Sequence, residues 1–403
     1  MCDLWQTECS YGAVFHLNVE CSSSEQTHRQ ARRQREQPDF YLRSNNWHFT
    51  MHEKVNSLHS KSNLVCRGLI PGEEAAYLEF AQQVWGRDSR QADATRLVWL
   101  HEENPNSVGM ERDLLILQDG SHIVGAHHKM RIPWNIRDQR VSVPSLHDLA
   151  VLPAHRTGGG LQLILAALAG EPHVVLFGLS KMVDRIYDRM RVPQVSMFWL
   201  YKVRSGLRTA FQMVGRSLAF PAPTFRRIAQ KMTLREGYQI TRMINPTSDE
   251  LAEALVIKPH AEAYPDWDIA AFRWRFFHPL GPKNILFVAR KNGAPAGRAV
   301  ISVGIRHGVL TGRILELVFQ NSQSLHALGT DIETTFDEMK IPLSLAVTAS
   351  PAVAEHLKST GWKFRKQPSG ARWFTKKKSD LPTEFWVSGG AWDFGFDTAV
   401  EHK

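Results

Sequence analysis

The sequence predicts a mixed α/β protein built as two similar units in tandem. Three observations carry that expectation. Strand and helix patterns alternate over residues 73–203, a second run with the same landmarks follows over 237–378, and a strand passes straight into a helix through Gly158-Gly159-Gly160. Alternation of this kind points to a layered fold with a parallel crossover.

In the first unit, "EEAAYLEFAQQVWG" (73–86) carries Ala76, Leu78, Phe80, Ala81 and Val84 at helical spacing. Residues 112–134 read as two strands around an Asp119-Gly120 turn, a strong hairpin signal. "PSLHDLAVLP" (144–153) is a third strand, and a helix runs from Gly159 to about 169. "HVVLFGLS" (173–180) is a buried strand, "SKMVDRIYDRM" (180–190) a helix with Ser180 as its N-cap, and "VSMFWLYKV" (195–203) a final strand.

The second unit repeats the order. Trp99 in "RLVWLHEENP" precedes a hairpin that ends in a strand carrying Gly125, and Trp274 in "AFRWRFFHP" precedes one whose last strand carries Gly297. A strand (312–319), a helix near 325–339, a strand (343–350), a helix (351–361) and a strand (371–377) follow. Duplication is the simplest account, the alternative being two unrelated α/β domains that share a hairpin and a helix. Trp99 and Trp274 read as core anchors. The expected layout is a disordered or loosely attached segment over 1–62, units at 63–204 and 236–379, a helical connector at 205–235 and a tail at 380–403.

With 403 residues, 43% hydrophobic and 22% charged, the composition is that of a globular protein. No apolar run is long enough to span a bilayer, and "MCDLWQTECS" has neither the basic nor the apolar region of a signal peptide, so a cytoplasmic location is expected. All four cysteines (Cys2, Cys9, Cys21 and Cys66) lie in the first sixth of the chain, which argues against a disulfide scaffold and a cysteine metal site. The net charge of +9 suits an anionic partner or simply a solvated basic surface. Basic residues are scattered apart from 29–35 and 376–378, and no aromatic-interleaved basic motif marks a nucleic-acid reader.

The three glycines need a reason. A helix N-terminus presents unpaired N–H groups, and glycine lets a bulky anion touch them. Strand–Pro153–Ala154–His155–Arg156–Thr157–Gly158–Gly159–Gly160–helix is thus built like a diphosphate cradle, with Arg156 as a charged fork. A tight turn without ligand is the other reading. Neither a P-loop nor a dinucleotide fingerprint fits, since Gly160 is followed by Leu161-Gln162.

"LAVLPAHRTGGGLQLIL" resembles the CoA-binding segment of the GNAT acyltransferase superfamily, an apolar strand with V-x-P followed by R/Q-x-x-G-x-G/A opening a helix. Val151 and Pro153 match the strand end. Two loop registers are open: His155, Gly158 and Gly160, or Arg156 and Gly159 with Leu161 in the last small position. "VLFGLSKMVDRIYDRMRVP" is similar to the strand and N-x-x-A-x-x-x-Y helix downstream, with Ser180, Val183 and Tyr187 in those places, while Arg191-Val192 departs from the terminal Gly-Phe.

The resemblance implies two GNAT-like domains and an acyl-CoA, acetyl-CoA foremost, as co-substrate. It implies that Leu149, Ala150 and Val151 hold the pantetheine arm and the oxyanion. His155, Arg156, Thr157 and the three glycines would then hold the diphosphate, and Tyr187 would protonate the departing thiolate. Packing of the helix on the sheet is the other role open to Tyr187.

The second unit has no such loop in "GRILELVFQNSQSLHALGT", so no CoA is expected there. The acceptor would be an amine of a small molecule, sugar or peptide. Its proton would pass to His147 or Asp148, which alternate along a strand so that only one faces the cleft. His127 and His128 are weaker candidates, and they too alternate and cannot chelate jointly. Glu316 is a candidate for the acceptor amine. No spacing suggests a metal. A degenerate CoA-binding scaffold and a FemAB-like aminoacyl transferase are the competing function classes.

Overall fold

The computed structural model describes residues 64–206, 231–281, 283–306, 309–365 and 371–391. The expected loose segment 1–62, residues 207–230 of the connector and residues 392–403 of the tail lie outside the described residues.

Two sheets organise the chain. The first contains β1 (Leu64–Gly68), β2 (Leu114–Asp119), β3 (His122–Ile136), β4 (Gln139–Val151), β5 (His173–Leu176) and β6 (Gln194–Val195). Around it lie α1 (Glu74–Trp85), α2 (Arg156–Leu168) and α3 (Lys181–Arg189). The second half supplies β7 (Phe198–Val203), β8 (Met232–Arg235), β9 (Tyr238–Met243), β10 (Ala263–Pro265), β11 (Asn284–Lys291), β12 (Ala294–Arg306), β13 (Val309–Phe319), β14 (Leu343–Thr348), β15 (Lys363–Phe364) and β16 (Ala371–Thr375). Its helices are α4 (Ser248–Ala254), α5 (Ile269–Phe277), α6 (Ser322–Glu338) and α7 (Pro351–Ser359).

The sheet orders show the duplication. The first runs β1-β2-β3-β4-β5-β16-β6 and the second β9-β11-β12-β13-β14-β7-β15, with β8 added beyond β9 and β10 paired to β3. Position for position the two orders are the same, except that each unit's last strand lies in the other unit's sheet. Residues 198–203, expected to close the first sheet, pair with β14 (Leu345↔Tyr201), and β16 pairs with β5 (Trp373↔Val175). A local apolar pattern specifies a strand but not its partner, and both slots are equivalent antiparallel edges. The expected boundaries at 204 and 236 therefore divide the chain but not the sheets.

The exchange fuses the cores. Trp373 of β16 meets Trp134 of β3 edge-on at 4.9 Å within a cluster that also holds Trp99, Val175, Trp274 and Leu286. Trp99 and Trp274 stack at 4.9 Å with a 17° interplanar angle. Each indole donates to the other's backbone carbonyl, Trp99 Nε1 to Trp274 O at 3.1 Å and Trp274 Nε1 to Trp99 O at 2.6 Å. A reciprocal contact between equivalent residues marks a local two-fold axis relating the units.

The β3–β4 hairpin is longer than the sequence pattern suggests. It turns at Arg137 and Asp138, both at positive φ (48° and 64°), a two-residue turn without the usual glycine. Ser180 caps α3 as expected, its Oγ accepting from Val183 N at 3.3 Å.

The interlock predicts one cooperative unfolding transition for both units. Trp99→Ala and Trp274→Ala should each destabilise by ~3–5 kcal/mol, and the double variant by less than the sum, because one contact is shared. Denaturant unfolding followed by far-UV circular dichroism checks both, and two separate transitions would contradict the interlock.

Candidate active site

The site begins with a fault in β4. Its pairing with β3 runs from Ile136↔Gln139 to His128↔His147, slips, and resumes at Ala126↔Ala150 and Gly125↔Val151. The slip is a bulge at Asp148, whose φ is +55°. On the other side, β4 pairs with β5 only at Ser145↔Val175 and Leu146↔Leu176. Beyond Leu146, β4 continues to Val151 with no β5-side partner among the described residues. The ladder on that side thus ends close to where β4 leaves the one-to-one ladder with β3, a gap in the pairing bordered by the backbone of 148–151.

The glycine turn stands at the mouth of this gap. After a short turn over Pro153–His155, Thr157 (ψ 99°) and Gly158 (φ 87°, ψ −33°) leave helical geometry, so the regular part of α2 starts at Gly159. No side chain caps this end. Nothing lies within 4 Å of a Cβ built on Gly158 or Gly160, whereas one on Gly159 meets Leu117 Cδ2 at 2.7 Å. Gly158 and Gly160 are therefore bare toward solvent and Gly159 packs, which favours the register His155, Gly158, Gly160. A bare turn with uncapped first-turn N–H groups fits a diphosphate.

Arg156 and Thr157 are exposed, and Arg156 Nε donates to Val151 O at 3.2 Å. His155 Nδ1 stands 3.9 Å from Asp119 Oδ2. Val151 is buried, Leu149 and Ala150 half-buried. Tyr187 is fully buried in the cluster of Leu146, Val151, Leu163 and Leu176, and its hydroxyl has no hydrogen-bond partner among the described residues. Burial raises its pKa, so it keeps its proton.

On the opposite face of the sheet from α2, a polar cluster surrounds the bulge. His147 Nδ1 lies 3.0 Å from Asp148 Oδ2, which also accepts from Arg96 Nη2 at 2.5 Å. Gln91 Nε2 donates to Asp148 Oδ1 at 3.2 Å. The expectation that His147 and Asp148 face opposite sides is corrected here, because the positive φ of Asp148 breaks the alternation and turns both side chains the same way. Burial pushes the Asp148 carboxyl up, but Arg96, the His147 hydrogen bond and Arg90 together hold it well below the usual range. Arg96 Nη2 also stands 3.4 Å from His147 Nδ1, and His147 Nε2 is buried with no partner among the described residues.

His128, directly across from His147, shares hydrogen bonds through both ring nitrogens, with Tyr77 Oη at 2.6 Å and His101 Nε2 at 2.9 Å. His127 points the other way, toward the Leu163 carbonyl of α2. Burial drives His101 and His127 down to about 3 and His128 well below its usual value. Tyr77, Gln91, Arg96 and His101 carried no sequence signal. Arg96 precedes, and His101 lies within, a five-residue π-type turn (Val98–Glu102), where helical spacing rules fail.

The second unit repeats the framework with its groove filled. β13 bulges at Leu315, and its pairing with β14 ends at Ile314↔Ala346. The returning chain enters there: Ala349 N donates to Val387 O at 2.7 Å, and a Cβ on Gly390 would lie 3.2 Å from Leu315 O. The α6 N-terminus is closed by a capping box of Asn321 and Ser324. Glu316 lies in β13 of this second sheet, where its Oε1 accepts from Arg298 Nη2 at 2.7 Å while its Oε2 has no partner among the described residues.

No protein-family model and no curated protein matches the sequence. Solved structures do. A GCN5-related N-acetyltransferase from Anabaena variabilis superposes with a TM-score of 0.52 at 11% identity, covering 79% of this chain and 74% of that one. The chain has the GNAT fold, twice over. A probable N-acyltransferase from Enterococcus faecalis (TM-score 0.50, 11% identity, 78% and 73% covered) and the Saccharomyces cerevisiae N-myristoyltransferase with bound myristoyl-CoA (0.50, 9%, 78% and 82%) share it. Among the described residues, no helix is long and apolar enough to cross a membrane, and no group of metal ligands is gathered.

The buried neutral histidines make the fold acid-sensitive. The unfolded chain takes up protons at His101 and His127 below pH ~6.5, while the folded one does so only near 3. Stability is therefore lost as pH falls through that window, by about 1 kcal/mol per pH unit for each histidine. The melting temperature should drop between pH 7 and pH 5, and His127→Gln should flatten part of the slope. A wild-type slope that the variant leaves unaltered would contradict it.

Proposed function

We propose that the chain is an acyl-CoA-dependent N-acyltransferase, with acetyl-CoA the leading donor, acting in the cytoplasm on an amine of a small molecule, sugar or peptide. The observation that carries the reading is the conjunction at β4. The β4–β5 ladder ends at Leu146 among the described residues, a bare uncapped turn follows at the end of β4, and a histidine–carboxylate pair sits at the bulge.

Bound acyl-CoA would supply the thioester carbonyl. The first-turn N–H groups at Gly158–Gly160 hold its diphosphate with Arg156 and Thr157 alongside, and Leu149–Val151 offer backbone groups to the pantetheine arm and the carbonyl oxygen. His147 is the general base: Asp148 accepts from Nδ1–H, which leaves the Nε2 lone pair to take a proton from the acceptor ammonium or amine. The carboxylate, fixed by Arg96, favours the imidazolium that results. Tyr187 keeps its proton and donates a hydrogen bond to the departing thiolate, its burial favouring donation over full transfer. Glu316, held by Arg298, is left as a candidate for orienting the acceptor through its free oxygen.

Calorimetry should find one CoA per chain, since the second groove is filled. Gly160→Asp places a like charge where nothing else stands and should weaken CoA by about 10-fold or more. His147→Ala should lower amine-dependent thiol release by ~10²–10⁴-fold with CoA affinity kept. Absence of CoA binding would overturn the assignment in favour of an aminoacyl transferase, and binding without thiol release across an amine panel would leave a scaffold.

A further inference from the structure

We propose that Tyr77, His128 and His101 form a positioning chain that fixes the plane of the His147 ring and steadies it once protonated. The inference rests on His147 being the general base.

Three imidazoles lie nearly parallel across the α1 face of the first sheet. His101 and His128 stack at 5.1 Å and 24°, and His128 and His147 at 5.7 Å and 21°. The middle ring cannot turn, because Tyr77 holds Nε2 from α1 and His101 holds Nδ1 from the π-type turn. Tyr77 adds an edge contact to the same ring at 5.3 Å. All three side chains are buried, at 1% exposure for Tyr77 and His128 and 3% for His101. A buried network in which one ring satisfies two partners is held to one geometry.

That geometry acts on His147 from one side, while Asp148 acts on its edge. His147 is met by Asp148 and Arg96 at Nδ1 and by the His128 ring, and its Nε2 has no partner among the described residues. Among the described residues, the charged and titratable groups around it are Tyr77 from α1, Arg90 and Arg96 from the turns after it, His101 from the π-type turn, His127, His128 and Lys129 from β3, and Asp148 from β4. Burial keeps the three flanking histidines neutral. A cation formed on His147 therefore has neutral rings on the β3 side, while Arg96 Nη2 stands 3.4 Å from its Nδ1 and the Asp148 carboxylate between them balances the charge.

The test uses the full chain with acetyl-CoA and an amine that the wild-type protein accepts. Tyr77→Phe and His128→Phe keep the ring volumes and remove the hydrogen bonds, whereas His128→Ala also removes the stack. Expected are unchanged CoA affinity, a fall in kcat of ~3–10-fold for Tyr77→Phe and ~10–100-fold for His128→Ala, and an acid limb of the kcat/KM–pH profile shifted down by about half a unit or more in His128→Ala.

A purely structural role would lower the melting temperature and leave the limb and the kcat of folded protein unchanged, and that result overturns the proposal. His147→Ala run in parallel separates the two claims. If it retains activity, the base assignment fails. If it is inactive while the Tyr77 and His128 variants behave as wild type, only the positioning chain fails.

Discussion

Everything proposed for this protein depends on one residue held in a left-handed conformation. Asp148 at φ +55° takes β4 out of register with β3. On the other edge, β4 has already parted from β5 after two residue pairs. The bulge also rotates the carboxylate onto the same face as His147. An aspartate tolerates positive φ better than most residues. Its buried pairing with Arg96 then keeps it there, because a carboxylate at 1% side-chain exposure without its cation would be expensive to bury. The register slip of β4 and the pairing of His147 with Asp148 are thus one structural event.

The duplication explains why the molecule is one body with two unequal halves. Exchange of β7 and β16 gives each sheet a strand that belongs, in chain order, to the other unit, and the Trp99–Trp274 pair closes the contact between them. Both sheets bulge at the equivalent strand. In the second, the chain around Val387–Gly390 occupies the opening and Asn321 caps the following helix. The second unit repeats the framework while its own backbone fills the place beside the bulge. It supplies β16 to the first sheet and shares a core with the first unit.

Much of this was legible in the sequence, because it depends on local pattern. The Asp119-Gly120 hairpin, the helix after Gly158-Gly159-Gly160, the Ser180 cap and the repeat marked by Trp99 and Trp274 all follow from periodicity or turn chemistry. Three things did not. Strand exchange is invisible because β7 and β16 look the same whichever sheet receives them. The bulge is invisible because Asp148 sits in an apolar run with no glycine, and strict alternation then misplaces it relative to His147. Tyr77, Arg96 and His101 come from three separate turns and helices, and only the folded chain brings them to His128 and Asp148.

The most direct measurement is a crystal structure of the full chain grown with CoA. The diphosphate should lie on the N–H groups of Gly158–Gly160 and the pantetheine arm between β4 and β5, its sulfur within reach of His147 and Tyr187, with the second unit's groove still filled by 387–391. Nucleotide bound in the second unit, or a first unit whose opening beyond Leu146 stays closed to the arm, would contradict it.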